Sequence, residues 1–295
     1  MTLRRERLEL PDGDFIDIDW TTGKSGPIII ILHGLEGSIE SGYASAIMRQ
    51  IHLLGYRGAL IHFRGCSGEP NRLERSYHSG DTKDFDLFIR RLRAQEPHTS
   101  MAAVGYSLGG NALLKWLGET HDAKDLLTTA VAVSVPFRLD QAAKAMNRGF
   151  SKIYQRMLVK RLQESVIKKF ANRPDAEFKP PNVESLNDFY SFDDKVTAPL
   201  HGFTGADDYY TRCSSRQFLK DIQVQTLLIH AIDDPFMTPE TVPRENELSP
   251  SVTLELSPTG GHVGFVSGYF PWKPRYWLEE RVAAHLKAKL VYKAT

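Results

Sequence analysis

Residues Pro27-Ile28-Ile29-Ile30-Ile31-Leu32 contain no polar side chain. A strand with one wet face alternates polar and apolar residues, so a run that is apolar at every position belongs in a strand covered on both faces. Parallel sheets flanked by helices supply that setting. Comparable runs recur at 58–63, 101–105, 130–135 and 226–230, whereas 252–256 alternates and fits a more exposed edge. Helical patterns lie between them at 43–54, 84–93, 110–117 and 276–290, the last following Pro274. Asp81 is a candidate N-cap for the second helix, and Asp84 and Asp86 suit the positive end of its dipole. Residues 7–20 alternate around the turn tripeptide Pro11-Asp12-Gly13, which predicts an antiparallel hairpin with an exposed face. The order implies an α/β chain with a mostly parallel central sheet, helices on both faces and a hairpin at its entrance.

The alternation stops between Phe137 and about Ile222. Here Ala142, Ala145, Met146, Gly149, Phe150, Ile153, Tyr154, Met157, Leu158 and Leu162 recur at helical spacing, with Lys144, Arg148, Lys152, Arg156 and Lys160 on another face. The reading is a helical cap inserted into one core, with residues 1–137 and 223–295 forming the core and 138–222 the cap. Its apolar stripe is read as packing, in part over a substrate cleft. The polar stretch 168–179, ending at Pro180-Pro181, is read as a connection.

Lys and Arg number 37 against 36 Asp and Glu, a net charge of +1, so no global field draws polyanions and nucleic acid is not expected as a partner. The opening Met1-Thr2-Leu3-Arg4-Arg5-Glu6-Arg7 lacks the apolar core of a signal peptide, and no apolar run approaches the roughly 20 residues that span a bilayer. The expectation is a cytoplasmic protein without stable membrane insertion, its two cysteines, Cys66 and Cys213, unpaired. The sequence is silent on oligomeric state.

Gly105-Tyr106-Ser107-Leu108-Gly109 fits the G-x-S-x-G nucleophile elbow, a sharp turn from strand into helix that exposes the serine. An apolar run precedes it and a helix-forming stretch follows, which is the context the motif requires. A serine hydroxyl needs a base within hydrogen-bond reach and a third group to orient that base. Among ten histidines, His262 stands out in Thr259-Gly260-Gly261-His262-Val263-Gly264-Phe265, a glycine-rich loop after the last strand. His230 reads as a core histidine, and His52, His78, His98, His121 and His285 as solvated. The acid belongs at the end of the preceding strand, where Asp233 and Asp234 compete. Pro235 biases Asp234 toward extended backbone, so Asp234 is favoured, and Asp233 is assigned to accepting backbone N–H bonds. Oxyanion donors are expected at the Leu108 amide and at the Leu35 amide of His33-Gly34-Leu35-Glu36-Gly37, with His33 shaping that loop.

His-Gly-Leu-Glu-Gly, Gly-Tyr-Ser-Leu-Gly-Gly-Asn, Asp-Asp-Pro-Phe and Gly-Gly-His-Val-Gly-Phe together resemble the YheT-like branch of the α/β-hydrolase superfamily, as do the segments 63–68 and 75–80. The resemblance spans nearly the whole chain. It implies an α/β-hydrolase fold with nucleophile Ser107, acid Asp234, base His262 and oxyanion donors Leu35 and Leu108. It also implies esterase activity, related proteins acting on acyl esters or phospholipids and some transferring acyl groups from acyl-CoA to alcohols. Arg64, Arg72, Arg75, Tyr77 and His78 could contact an anionic substrate group but are read as knitting a loop. Asp207-Asp208 lacks the company of a metal ligand set, so neither metal nor cofactor is expected. The leading expectation is hydrolysis of short to medium acyl esters of small molecules or lipids through an acyl-enzyme. An acyltransferase or lipid hydrolase using the same residues is the alternative, and a binding module without turnover the reading from another class.

Overall fold

The computed structural model describes residues 1–267 and 275–290. Eight strands form one sheet: β1 Leu3–Glu9, β2 Phe15–Thr21, β3 Ile28–Leu32, β4 Arg57–Ile61, β5 Met101–Tyr106, β6 Thr129–Val133, β7 Gln225–Ala231 and β8 Val252–Ser257. Their spatial order is β1-β2-β4-β3-β5-β6-β7-β8. β1 and β2 pair antiparallel, β2 joins β4 antiparallel, and every pair from β4 onward is parallel. The all-apolar run explains the layering. Ile28, Ile30 and Leu32 of β3 join the core on one face, and Ile29 and Ile31 join the core on the other.

Helices of eight residues or more are numbered α1 Gly42–Leu53, α2 Lys83–Gln95, α3 Leu108–Glu119, α4 Leu139–Met146, α5 Ser151–Phe170, α6 Ala206–Cys213 and α7 Trp277–Lys289. α2 and α3 cover the first face with Phe85, Phe88, Leu113 and Trp116. α1 and α7 cover the second with Ile47, Ile51, Leu278 and Val282. Pro274, expected to precede the last helix, lies outside the described residues.

Four local expectations are corrected. The exposed face of the hairpin is confined to β1, where Arg4, Arg5, Arg7 and Glu9 are exposed, while β2 is buried at every residue. Its polar positions, Asp17 and Asp19, are gripped by the forks of Arg7 and Arg5 on β1, and His62 adds a bond to Asp19. Asp81 does not cap α2. Thr82 stands at that position, without a side-chain capping bond, and Asp81 pairs with Arg75. Residues 168–170 belong to α5 and not to the connection after it. Finally, the apolar stripe of 142–162 divides. Met146 is buried, whereas Phe150, Ile153, Tyr154 and Met157 face solvent.

Residues 139–213 form α4, α5, short helical turns and α6, with no strand among them. This segment lies over the ends of β3, β5 and β7. Ser151 donates to the Pro235 carbonyl, Ser165 to the Glu36 carboxylate and Lys169 to Asn71, the Arg75 carbonyl and Ser76. Both cysteines are free.

Candidate active site

Ser107 connects β5 directly to α3, with φ 51° and ψ −117°. A non-glycine residue pays for a positive φ, and such strain persists only where the surroundings impose it. They do so here by close packing. A Cβ on Gly105 would stand 2.6 Å from the Gly109 carbonyl oxygen, and one on Gly109 would stand 2.4 Å from the carbonyl oxygens of both Leu32 and His33. The glycines let α3 start tightly against β5 and β3, which lifts the serine out of the strand end.

His262 follows β8 in a loop that Asp233 ties down by accepting the Gly261 N–H at 2.8 Å. Its imidazole lies between two groups. Nδ1 is 2.8 Å from Asp234 Oδ2 and Nε2 is 2.9 Å from Ser107 Oγ. The carboxylate fixes the proton on Nδ1, so Nε2 is the acceptor for the serine hydroxyl. Asp234 is buried, and its other oxygen accepts the Phe236 N–H. The Phe236 ring lies over the imidazole, with centroids 4.2 Å apart. The structure therefore brings Ser107, His262 and Asp234 together, and it puts Asp233 on the loop backbone.

The loop after β3 passes beside Ser107. The Gly34 N–H donates to Tyr43 Oη, the Glu36 N–H to Tyr77 Oη and the Gly37 N–H to the Gly34 carbonyl. Among the described residues only the Leu35 N–H of these four has no acceptor. The Leu108 N–H belongs to the first residue of α3 and has no intrahelical acceptor either. Both residues line the same cavity as Ser107. His33 is fully buried, and burial lowers its pKa to about 3, so it is neutral. Its Nε2 accepts the Phe63 N–H, and Nδ1 donates to the Gly34 carbonyl at 2.6 Å.

The cavity beside Ser107 measures about 290 Å³. Its walls are largely apolar, with Leu139, Met146, Leu158 and Leu162 from the helical segment and Met237 and Val263 from the core. Polar groups also reach it: Tyr77, which the sequence offers as a possible substrate contact, and Glu36 and Asp193, which it does not. Tyr77 donates to Glu36 Oε1 while accepting the Glu36 N–H. Burial pushes the Glu36 carboxyl above its usual range and the Tyr77 hydroxyl well above its own. Asp193 lies on the wall, shielded from bulk water though open in part to the cavity. Burial raises its pKa to about 6, and its oxygens accept from Thr197 and Tyr210.

His78 is a further correction. It is not solvated but lines the cavity, and burial, aided by nearby cations, lowers its pKa to about 3. Arg64 and Arg72 do knit their loop, pairing with Asp12, Asp14 and Asp84 and with Glu9. Tyr77 serves both the loop and the cavity. Asp207 accepts from Tyr190 and Asp208 from the Thr204 amide.

A doubly covered parallel sheet, a serine at a strained strand-to-helix turn and a histidine bridging it to a buried carboxylate define the class. The chain belongs to the α/β-hydrolase fold family, whose model matches residues 27–269. Within that family it is 42% identical over 294 residues to YheT of Escherichia coli, a protein provisionally named an esterase, covering 96% of this chain and 86% of that one. The phospholipase ABHD3 of Mus musculus is 29% identical over 286 residues, covering 92% of this chain and 69% of its own length. Among solved structures, the esterase Pf2001 of Pyrococcus furiosus superimposes with a TM-score of 0.65 over 98% of this chain and 92% of that one. At 18% identity that likeness bears on the fold alone.

Proposed function

We propose that the chain is a serine carboxylic-ester hydrolase. The observation that carries this reading is His262 within hydrogen-bond distance of both Ser107 and Asp234, at 2.9 and 2.8 Å. Ser107 Oγ attacks the ester carbonyl while His262 takes its proton. The tetrahedral oxyanion is received by the N–H groups of Leu35 and Leu108, each donor lowering the barrier by about 3 kcal/mol. His262 then protonates the departing alkoxide, leaving Ser107 acylated. Water attacks the acyl-enzyme and gives a proton to His262, which returns it to Ser107 Oγ as the acid departs. Asp234 holds the imidazole tautomer throughout. Residues 138–222 serve as the cap over the cleft, and the apolar cavity of about 290 Å³ favours short to medium acyl chains. The esterase and phospholipase names of the relatives agree with ester chemistry.

The test is Ser107→Ala assayed on p-nitrophenyl esters of increasing chain length, alongside covalent labelling with a fluorophosphonate. The expected result is a fall in kcat on the order of 10^6-fold with loss of labelling. Retention of most of the ester-cleaving rate by Ser107→Ala would refute the mechanism. A strict preference for charged or peptide substrates would refute the assignment of the cavity.

A further inference from the structure

Phe150, Ile153, Tyr154 and Met157 stand at i, i+3, i+4 and i+7, the spacing of one apolar helix face. Such a face ordinarily points into the core. Here it points out: the four are 68%, 59%, 37% and 48% exposed, while Ser151, Gln155 and Val159 on the other side of α5 are buried. The charge around this face is one-sided. Residues 141–163 contain six Lys or Arg and no Asp or Glu, in a chain whose net charge is only +1. Lys144, Arg148, Lys152, Arg156 and Lys160 are exposed. Lys160 has Glu164 at 4.0 Å, and among the described residues the other four have no carboxylate partner.

We propose that this face of α5 is a docking surface for an anionic phospholipid bilayer. An outward apolar stripe carrying an aromatic pair and flanked by unpaired cations is the composition that lies in a membrane interface, the side chains entering the acyl boundary and the cations meeting anionic headgroups. Other occupants fit less well. A second copy docked on the same face would oppose cations to cations, and a nucleic acid would leave Ile153 and Met157 without an apolar partner. Attachment would be peripheral, since no helix of the described residues is long and apolar enough to cross a membrane. The stripe also leads to the cavity. Tyr154 packs against Phe236 at 5.4 Å, Phe236 lies on His262, and Leu158 and Leu162, around the helix from the stripe, line the cavity wall. A bilayer seated there would face the mouth through which an acyl chain enters.

The test is co-sedimentation of the full chain with vesicles of phosphatidylcholine alone or mixed in equal parts with phosphatidylglycerol, at low and high salt. The readout is independent of the Ser107 chemistry. The wild-type chain is expected to bind the phosphatidylglycerol vesicles, less so at high salt, and to ignore phosphatidylcholine. Reversing Lys152, Arg156 and Lys160 to Glu should weaken binding by about 100-fold or more. Ile153→Ser combined with Met157→Ser should also abolish it, with hydrolysis of a water-soluble ester retained by both variants as the check on folding. Failure of the wild type to bind phosphatidylglycerol vesicles would overturn the proposal, as would binding that survives both variants. A concentration-dependent dimer in sedimentation velocity that the Ile153→Ser, Met157→Ser variant dissolves would assign the face to a second copy and overturn it as well.

Discussion

Asp233 and Asp234 are neighbours with the same side chain, and their environments divide the labour. Asp234 is buried with one oxygen on His262 Nδ1, whereas Asp233 is exposed and accepts the Gly261 N–H. Asparagine can still accept that amide bond, so Asp233→Asn should leave kcat within a few-fold. Asp234→Asn puts an amide against the imidazole and favours the wrong tautomer, a loss of about 10^4-fold in kcat. Steady-state kinetics on one p-nitrophenyl ester compares the two, and equal losses would break the assignment. Glu36 makes a quieter contribution, in positive-φ backbone (φ 50°) directly after Leu35. Tyr77 accepts its N–H and donates to its carboxylate, fixing the turn that carries Leu35, the proposed oxyanion donor. Tyr77→Phe leaves a buried N–H unpaired, which costs about 1–3 kcal/mol. It should lower kcat more than it raises KM, because the oxyanion forms only after binding. The sequence marks Ser107, His262 and Asp234 because the elbow, the glycine loop and Asp-Pro each carry a local backbone signature. Tyr77 and His78 carry none. Their place at the cavity depends on where a long loop folds back, and nothing within 64–80 specifies that.

Element by element, legibility follows how local the cause is. The doubly covered strands announce themselves through their own side chains, so β3 to β7 fall within a residue or two of the apolar runs. β2 misleads because its alternation is real while its polar face is covered by side chains from the neighbouring strand and from beyond β4. Arg5 and Arg7 neutralise Asp19 and Asp17 across the hairpin, and His62 comes from beyond β4. Although burial opposes ionisation of Asp19, its bonds to Arg5 and His62 keep the carboxyl well below the usual range. α5 misleads in the opposite sense, since helical periodicity identifies an apolar face without saying what covers it. The elbow offers the sharpest element-scale prediction. Gly109→Ala drives a methyl to 2.4 Å from two carbonyl oxygens of the β3 end, neither of which can move without opening the sheet. The variant should lose at least about 1–3 kcal/mol of stability, as overpacking does. It should also lose most of its activity, because relief would shift α3 and with it Ser107. Denaturant unfolding and ester hydrolysis measure both, and a fully active, fully stable Gly109→Ala would contradict the packing account.

At the scale of the whole molecule, the helical segment is fastened to the core by polar bonds as well as by apolar packing, and Lys169 is the deepest of these. It is buried, and its ammonium donates to Asn71, the Arg75 carbonyl and Ser76, all on the loop between β4 and α2. Burial lowers its pKa to about 7. Arg173, Arg64 and Arg75 add to the effect, and Asp14 opposes it. The sign of the pH dependence follows from this shift. Below pH 7 the lysine is protonated in both folded and unfolded chains and contributes no slope. Between about pH 7 and its ordinary value near 10.5 the unfolded chain binds more protons than the folded one, so stability from this group rises with pH. Lys169→Met keeps the volume and removes both the titration and the donor. At pH 9 the amine is neutral in the folded chain and keeps two N–H donors, whose loss should cost about 1–3 kcal/mol. The rise in melting temperature from pH 7 to 9 that the wild type owes to this lysine should be absent from the variant. Thermal unfolding of both proteins across that range isolates the difference, since all other titrating groups are shared. Parallel melting curves at every pH would mean that Lys169 keeps its ordinary pKa in the folded chain.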